Sequence, residues 1–164
     1  GRYSRTIINE KSPAMWPFGK KTETPDRLPM DGPWSVGQGL HNGKILIVRY
    51  NAGYKDYGSV PGYDHLVGVA VPLLAPEPTG LPSPEEDAEL GDVEDAISAS
   101  LEQEAESLLV AILTTNGMRE FVFYTRDPEQ VKQRVEQLRG AVASRELLLM
   151  IQPDKEWTVY AQLG

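Results

Sequence analysis

The chain contains no cysteine. That excludes thiol nucleophiles, disulfides, thiolate metal sites and thiol redox switching together. Histidine is nearly as scarce, with only His41 and His65. His41 stands in a hairpin turn and reads as a solvated residue; His65 follows Asp64 at the start of a strand and reads as a boundary residue. Nucleophile elbows, phosphate-binding loops and zinc-protease helices are all missing, and Gly37-Gln38-Gly39 is too short for a dinucleotide fingerprint. No catalytic residue, metal site or cofactor is therefore assigned. Basic residues are outnumbered, 16 against 24 acidic, and the net charge of −8 disfavours nucleic acid. No apolar run approaches the roughly 18 residues of a membrane span, and the longest, residues 108–113, has the length of a strand. The N-terminal region has no secretory apolar segment, so cytoplasm is the expected compartment.

What is present begins with residues 83–106, which read S-P-E-E-D-A-E-L-G-D-V-E-D-A-I-S-A-S-L-E-Q-E-A-E. Ser83 suits a helix N-cap, Pro84 suits the first turn, and Glu86 sits where a capping box needs it. Leu90, Val93, Ile97 and Leu101 recur at helical spacing as one apolar stripe. The segment holds ten carboxylates and no Lys or Arg, so the rest of the chain sums to 16 − 14 = +2. The acidity thus belongs to one face. Glu85, Asp92, Asp95, Glu102 and Glu106 are predicted to point away from the stripe. Such a face is either a solvated surface or a docking surface for a basic protein, and these five are the candidate partner-binding residues. Glu94 is different. At about 100° per residue it lies at the edge of the stripe, and a covered carboxylate there calls for a cation. The second helix offers Lys132, Arg134 and Arg139, and a buried Glu94–Arg134 ion pair is the expectation.

With 164 residues, the chain is long enough for one domain with a proper core. Residues 1–33 carry five prolines and read as an extended arm. Met15-Trp16-Pro17-Phe18 reads as a natural start, with residues 1–14 as vector-derived sequence. Residues 34–164 form the single α+β domain. Residues 34–40 and 44–50 are predicted strands around Asn42-Gly43, a hairpin signal. Residues 51–64, rich in Gly and Tyr, read as a loop, and residues 66–74 as the next strand. After the acidic helix come a hairpin over 108–115 and 119–125, and a helix opened by Asp127-Pro128. Its stripe is Val131, Val135, Leu138 and Val142. Residues 146–152 and 157–163 are the last predicted strands.

From residue 66 the order β-α-β-β-α-β predicts a ferredoxin-like split β-α-β sandwich, with the first hairpin extending one sheet edge. Both faces of strands 108–113 and 147–151 are apolar, where a half-covered sheet should alternate. Something must therefore cover the face away from the helices: the N-terminal arm, a second protomer in a homodimer, or a ligand. The enzyme alternative, small-ligand binding or hydrolysis, would use a pocket on that face beside Tyr54, Tyr57 or Tyr63 and needs two carboxyls set across a cleft.

Three segments together resemble a known family: Gly80-Leu81-Pro82-Ser83-Pro84-Glu85-Glu86 with Leu90, Glu94 and Asp95; Gly117 to Thr125; and Asp154-Lys155-Glu156-Trp157-Thr158-Val159-Tyr160. The set is similar to a bacterial domain family of unknown function, number 695 in the DUF series, over residues 34–163. The resemblance implies no catalytic residues. It adds a distant likeness to the ribonuclease E activity regulator family, acidic proteins that act by binding an enzyme. Together these expectations describe a binding or regulatory domain for a basic partner, either an enzyme it controls or a toxin it neutralises.

Overall fold

The structure is a computed structural model that describes residues 27–142 and 144–164. The expected start at Met15, and any role of Trp16 and Phe18 as a cover, lie outside the described residues. Strands β1 (Trp34–His41) and β2 (Lys44–Asn51) form the first hairpin, and β3 (His65–Pro72) follows a short 3-10 turn at Ala52–Tyr54. Helix α1 (Pro84–Leu101) leads to β4 (Ser107–Thr115) and β5 (Met118–Thr125), then α2 (Pro128–Ala141), β6 (Leu148–Pro153) and a four-residue helix α3 (Thr158–Ala161). The strands make one antiparallel six-stranded sheet in the order β1-β2-β4-β5-β3-β6, with the first hairpin on the edge beyond β4.

Local chemistry explains most of these elements. Asn42-Gly43 and Asn116-Gly117 all take positive φ, which closes two-residue hairpins with the twist the strands need. The Ser83 and Asp127 side chains accept from the amides of Glu86 and Gln130, each with proline at the start of the helix. Both helices bury their apolar stripes in one core against Val67, Val69, Ile112, Phe121 and Phe123, so they share one face of the sheet.

The other face is covered by the chain itself. Leu66, Leu108, Val110, Val122 and Tyr124 lie under Tyr54, Val60, Tyr63, Trp157 and Tyr160, with Leu28 and Met30 packed alongside. Trp157 stacks on Tyr124 at 4.2 Å between ring centres. Residues 51–64 are thus a packed lid as well as a connection, and over this part of the face no second protomer is needed.

Three expectations are corrected. Residues 157–163 do not form a strand. Trp157, Val159, Ala161 and Leu163 alternate, but Trp157 and Tyr160 are the buried pair, three residues apart as on a helix. Asp154 accepts from the amides of Thr158 and Val159 and so starts α3. Helix α1 ends at Leu101, because Glu104 and Ala105 take positive φ and turn the chain into β4. The capping box is only half made: Glu86 turns inward, accepting from the amides of Leu74 and Ala75 and meeting Arg145 at 2.6 Å.

Candidate functional site

Position 94 begins a run along α1. Glu94, Ser98 and Glu102 recur every four residues and form one flank of the helix, facing the first hairpin. Opposite them stands Arg49 of β2, whose register partner Ile112 belongs to the helix-side core. Met30, Asp31 and Trp34 close one end, and Leu109 contributes an apolar wall. These eight residues line a cleft of about 410 Å³. It lies on the helix side of the sheet.

The cleft carries three carboxylates and one guanidinium. Arg49 meets Glu94 at 2.8 Å, with both side chains partly exposed. Glu102 accepts from the Ser98 hydroxyl at 2.8 Å and from the Leu109 amide at 3.0 Å, beside the irregularity in β4 between Leu109 and Ala111. Burial pushes the Glu102 carboxyl up. Those two hydrogen bonds pull it down, the charge of Asp31 adds a further push, and the net direction is upward. The site therefore combines one neutralised acid, one acid whose ionised form is disfavoured, and an aromatic edge at Trp34. Among the described residues no group of three or more His, Asp and Glu is arranged to hold a metal ion.

The five acids predicted to form one face are separated by the fold. Glu85, Asp92 and Asp95 are exposed and make no ion pair with the described residues. Glu102 lines the cleft, and Glu106, beyond the helix end, pairs with Arg134 at 3.2 Å. The expected Glu94–Arg134 pair is not formed. The apolar stripe of α1 has two edges, and Glu94 lies on the one facing the hairpin, away from α2. On the α2 side, Glu86 and Glu89 both meet Arg145, which is buried just past the end of that helix. Two further partners complete the pattern: Asp87 meets Arg119 at 3.0 Å, and Arg119 also donates to Thr114.

The tyrosines do not line the cleft. Tyr54 and Tyr63 are buried in the opposite cover, and Tyr57 stands edge-on to Tyr54. Burial, followed by the charge of Glu102, pushes the Tyr54 phenol up, and its hydroxyl has no hydrogen-bond partner among the described residues. His41 is exposed and His65 pairs across to Thr125 and Pro153 within the sheet. Sequence reasoning missed Asp31, Arg49 and Ser98. Arg49 had a signal: it is the one charge inside the apolar run Ile45 to Tyr50.

The architecture is that of an α+β domain: an antiparallel six-stranded sheet with two long helices on one face and a short third helix in the cover of the other. Residues 33–163 match the profile of a family of unknown function, DUF695, and the chain belongs to that family. Neither curated proteins nor solved structures give a significant match.

Proposed function

We propose that this domain is a non-catalytic protein-binding or regulatory module whose partner presents a basic surface to α1. The observation that carries the reading is the set of exposed acids on α1 that no cation of the described residues pairs. Glu85, Asp92 and Asp95 stand exposed on α1 without a cation from the described residues. In the cleft, Arg49 is the one cation of the lining among the described residues; it faces Asp31 and Glu94, and Glu102, whose ionised form is disfavoured, adds a third carboxyl. Charge of one sign beside a concave apolar edge steers and orients a cationic partner. The strand order β4-β5-β3-β6, with helices following β3 and β5, supports a ferredoxin-like split β-α-β core extended by the first hairpin. Such a core with net acidity would parallel the ribonuclease E activity regulator family, and this analogy of fold class favours regulation by contact. Cytoplasm remains the proposed compartment.

The test is affinity capture from the native host with the full chain and with Asp92→Asn/Asp95→Asn, followed by association kinetics with the captured partner. The expected result is an association rate that falls steeply with salt and drops about tenfold in the variant. Equal rates for the two proteins at low salt would make the flank a solvated surface. A second reading, a small cationic ligand in the cleft, is favoured by Glu102, whose raised carboxyl beside Trp34 suits an ammonium or guanidinium group. Hydrolysis fits less well, because Arg49 already neutralises Glu94.

A further inference from the structure

Among the described residues the outer cover leaves part of the sheet bare, and an acid lies at its centre. Register places Val48, Leu113, Glu120, Ala70 and Leu148 side by side on the face away from the helices, one from each of β2, β4, β5, β3 and β6. The aromatic cover packs on Leu66, Leu108, Val122 and Tyr124, and of this row only Leu113 is packed against that cluster. Leu148 is 42% exposed, and Met150 beside it is 39% exposed. Four of the five row positions are apolar. The fifth, Glu120, is half-buried among them.

Glu120 is held without a partner among the described residues. Its carboxylate lies across β3 in the space a Cβ on Gly68 would fill, and the Met150 methyl group flanks it. No cation among the described residues pairs with it, and none of their groups donates a hydrogen bond to it. Burial pushes its carboxyl up. The buried and partly buried acids of α1 and its end have each found a guanidinium, a backbone amide or a hydroxyl: Glu86, Glu94, Glu102 and Glu106. A desolvated carboxylate in an apolar row is costly unless a cation completes it.

We propose that this row is a docking surface for a peptide segment of a partner protein that carries a lysine or arginine between apolar side chains. The cation would meet Glu120 over Gly68, and its apolar neighbours would lie on Leu113 and Val48 to one side and on Ala70 and Leu148 to the other. Five strands about 4.8 Å apart give a row of about 19 Å, matched by about six residues of extended chain. Charge argues against a second copy as the occupant, because a two-fold axis through the row would set Glu120 against Glu120. The surface lies on the opposite side of the sheet from the α1 flank, so its fate is separate from that of the acidic-helix reading.

The probes are acetylated hexapeptides of Leu, Ile and Phe with one central residue: lysine, arginine, norleucine or glutamate. They are titrated into the isotopically labelled full chain and followed by amide chemical shifts. Lysine and arginine peptides are expected to move the Leu113, Glu120 and Ala70 amides and to bind at least tenfold more tightly than the norleucine and glutamate peptides. Glu120→Gln is expected to abolish that preference, and Leu148→Asn, at the exposed end of the row, to weaken all four peptides while keeping it. Cationic peptides that leave the row amides unmoved would overturn the proposal, as would an unchanged preference in Glu120→Gln. A full chain that sediments as a dimer with the row amides protected would overturn it in favour of a second copy.

Discussion

Arg145→Met tests the interior electrostatics most directly. Arg145 and Glu86 have side-chain exposures of 2% and 6%, and their charged atoms meet at 2.6 Å. Methionine fills a similar volume without the charge and leaves Glu86 with the amides of Leu74 and Ala75. Removing one partner of a buried pair costs about 3–5 kcal/mol. The second contact of Arg145, with the exposed Glu89, adds little. Because two amides remain to hold the carboxylate, the lower end, about 3 kcal/mol, is the expected loss. In a domain of this size that lowers Tm by about 6–12 °C, and in urea it moves the midpoint without changing the slope. The pH dependence gives a second readout. Burial alone would raise the Glu86 carboxyl, but the Leu74 amide, Arg145 and the Ala75 amide outweigh it and the net direction is down. A depressed carboxyl stabilises the fold above its unfolded value of about 4.3 and loses that contribution as pH falls through the folded value. The gap between wild type and variant should therefore be full at pH 7 and shrink below about pH 4. In a double-mutant cycle with Glu86→Gln, the pair should show a coupling of about 2 kcal/mol or more. A loss under about 1 kcal/mol, or one that is the same at pH 3.5 and pH 7, would refute the reasoning.

Asp154→Asn should cost about 2–3 kcal/mol at neutral pH by chemical denaturation, because both carboxylate oxygens are used by Tyr124, Thr158 and Val159. Burial works to raise the Asp154 carboxyl, yet the hydrogen bonds from Tyr124 and from Thr158 and Val159 hold it low, so this contribution should fade as pH falls below about 4. Glu102→Gln should melt at or above the wild-type temperature at pH 7, since a raised carboxyl opposes folding there; a loss above about 1 kcal/mol would show that the ionised form is needed at Leu109. Glu94→Gln should cost under about 1 kcal/mol, as expected for a partly exposed pair with Arg49. Asp92→Asn/Asp95→Asn relieves like charges three residues apart and should raise stability by a few tenths of a kcal/mol; a lower melting temperature would contradict it.

Local chemistry in the sequence determined both hairpins and both long helices. Asn-Gly pairs tolerate positive φ, Ser83 and Asp127 can accept from amides three residues on, and apolar spacing tells a helix which side to bury. The apolar outer face of β4 also called for a cover and received one, whereas the same pattern in β6 leaves Leu148 and Met150 exposed. What formed that cover was decided only in three dimensions. Trp157 and Tyr160 reach the sheet because Asp154 turns the chain into a helix, although the same residues alternate as a strand would. The ion pairs followed the same rule. Periodicity placed Glu94 at an edge of its stripe, but not which element would stand at that edge, and Arg49 took the place expected for Arg134. Helical spacing describes a side chain relative to its own axis. Partners separated by 45 residues, as Arg49 and Glu94 are, or by 59, as Glu86 and Arg145 are, meet only when the sheet brings their elements together. Glu120 shows the same division in reverse: its strand position was legible, while its isolation over Gly68 depends on β3 lying beside β5.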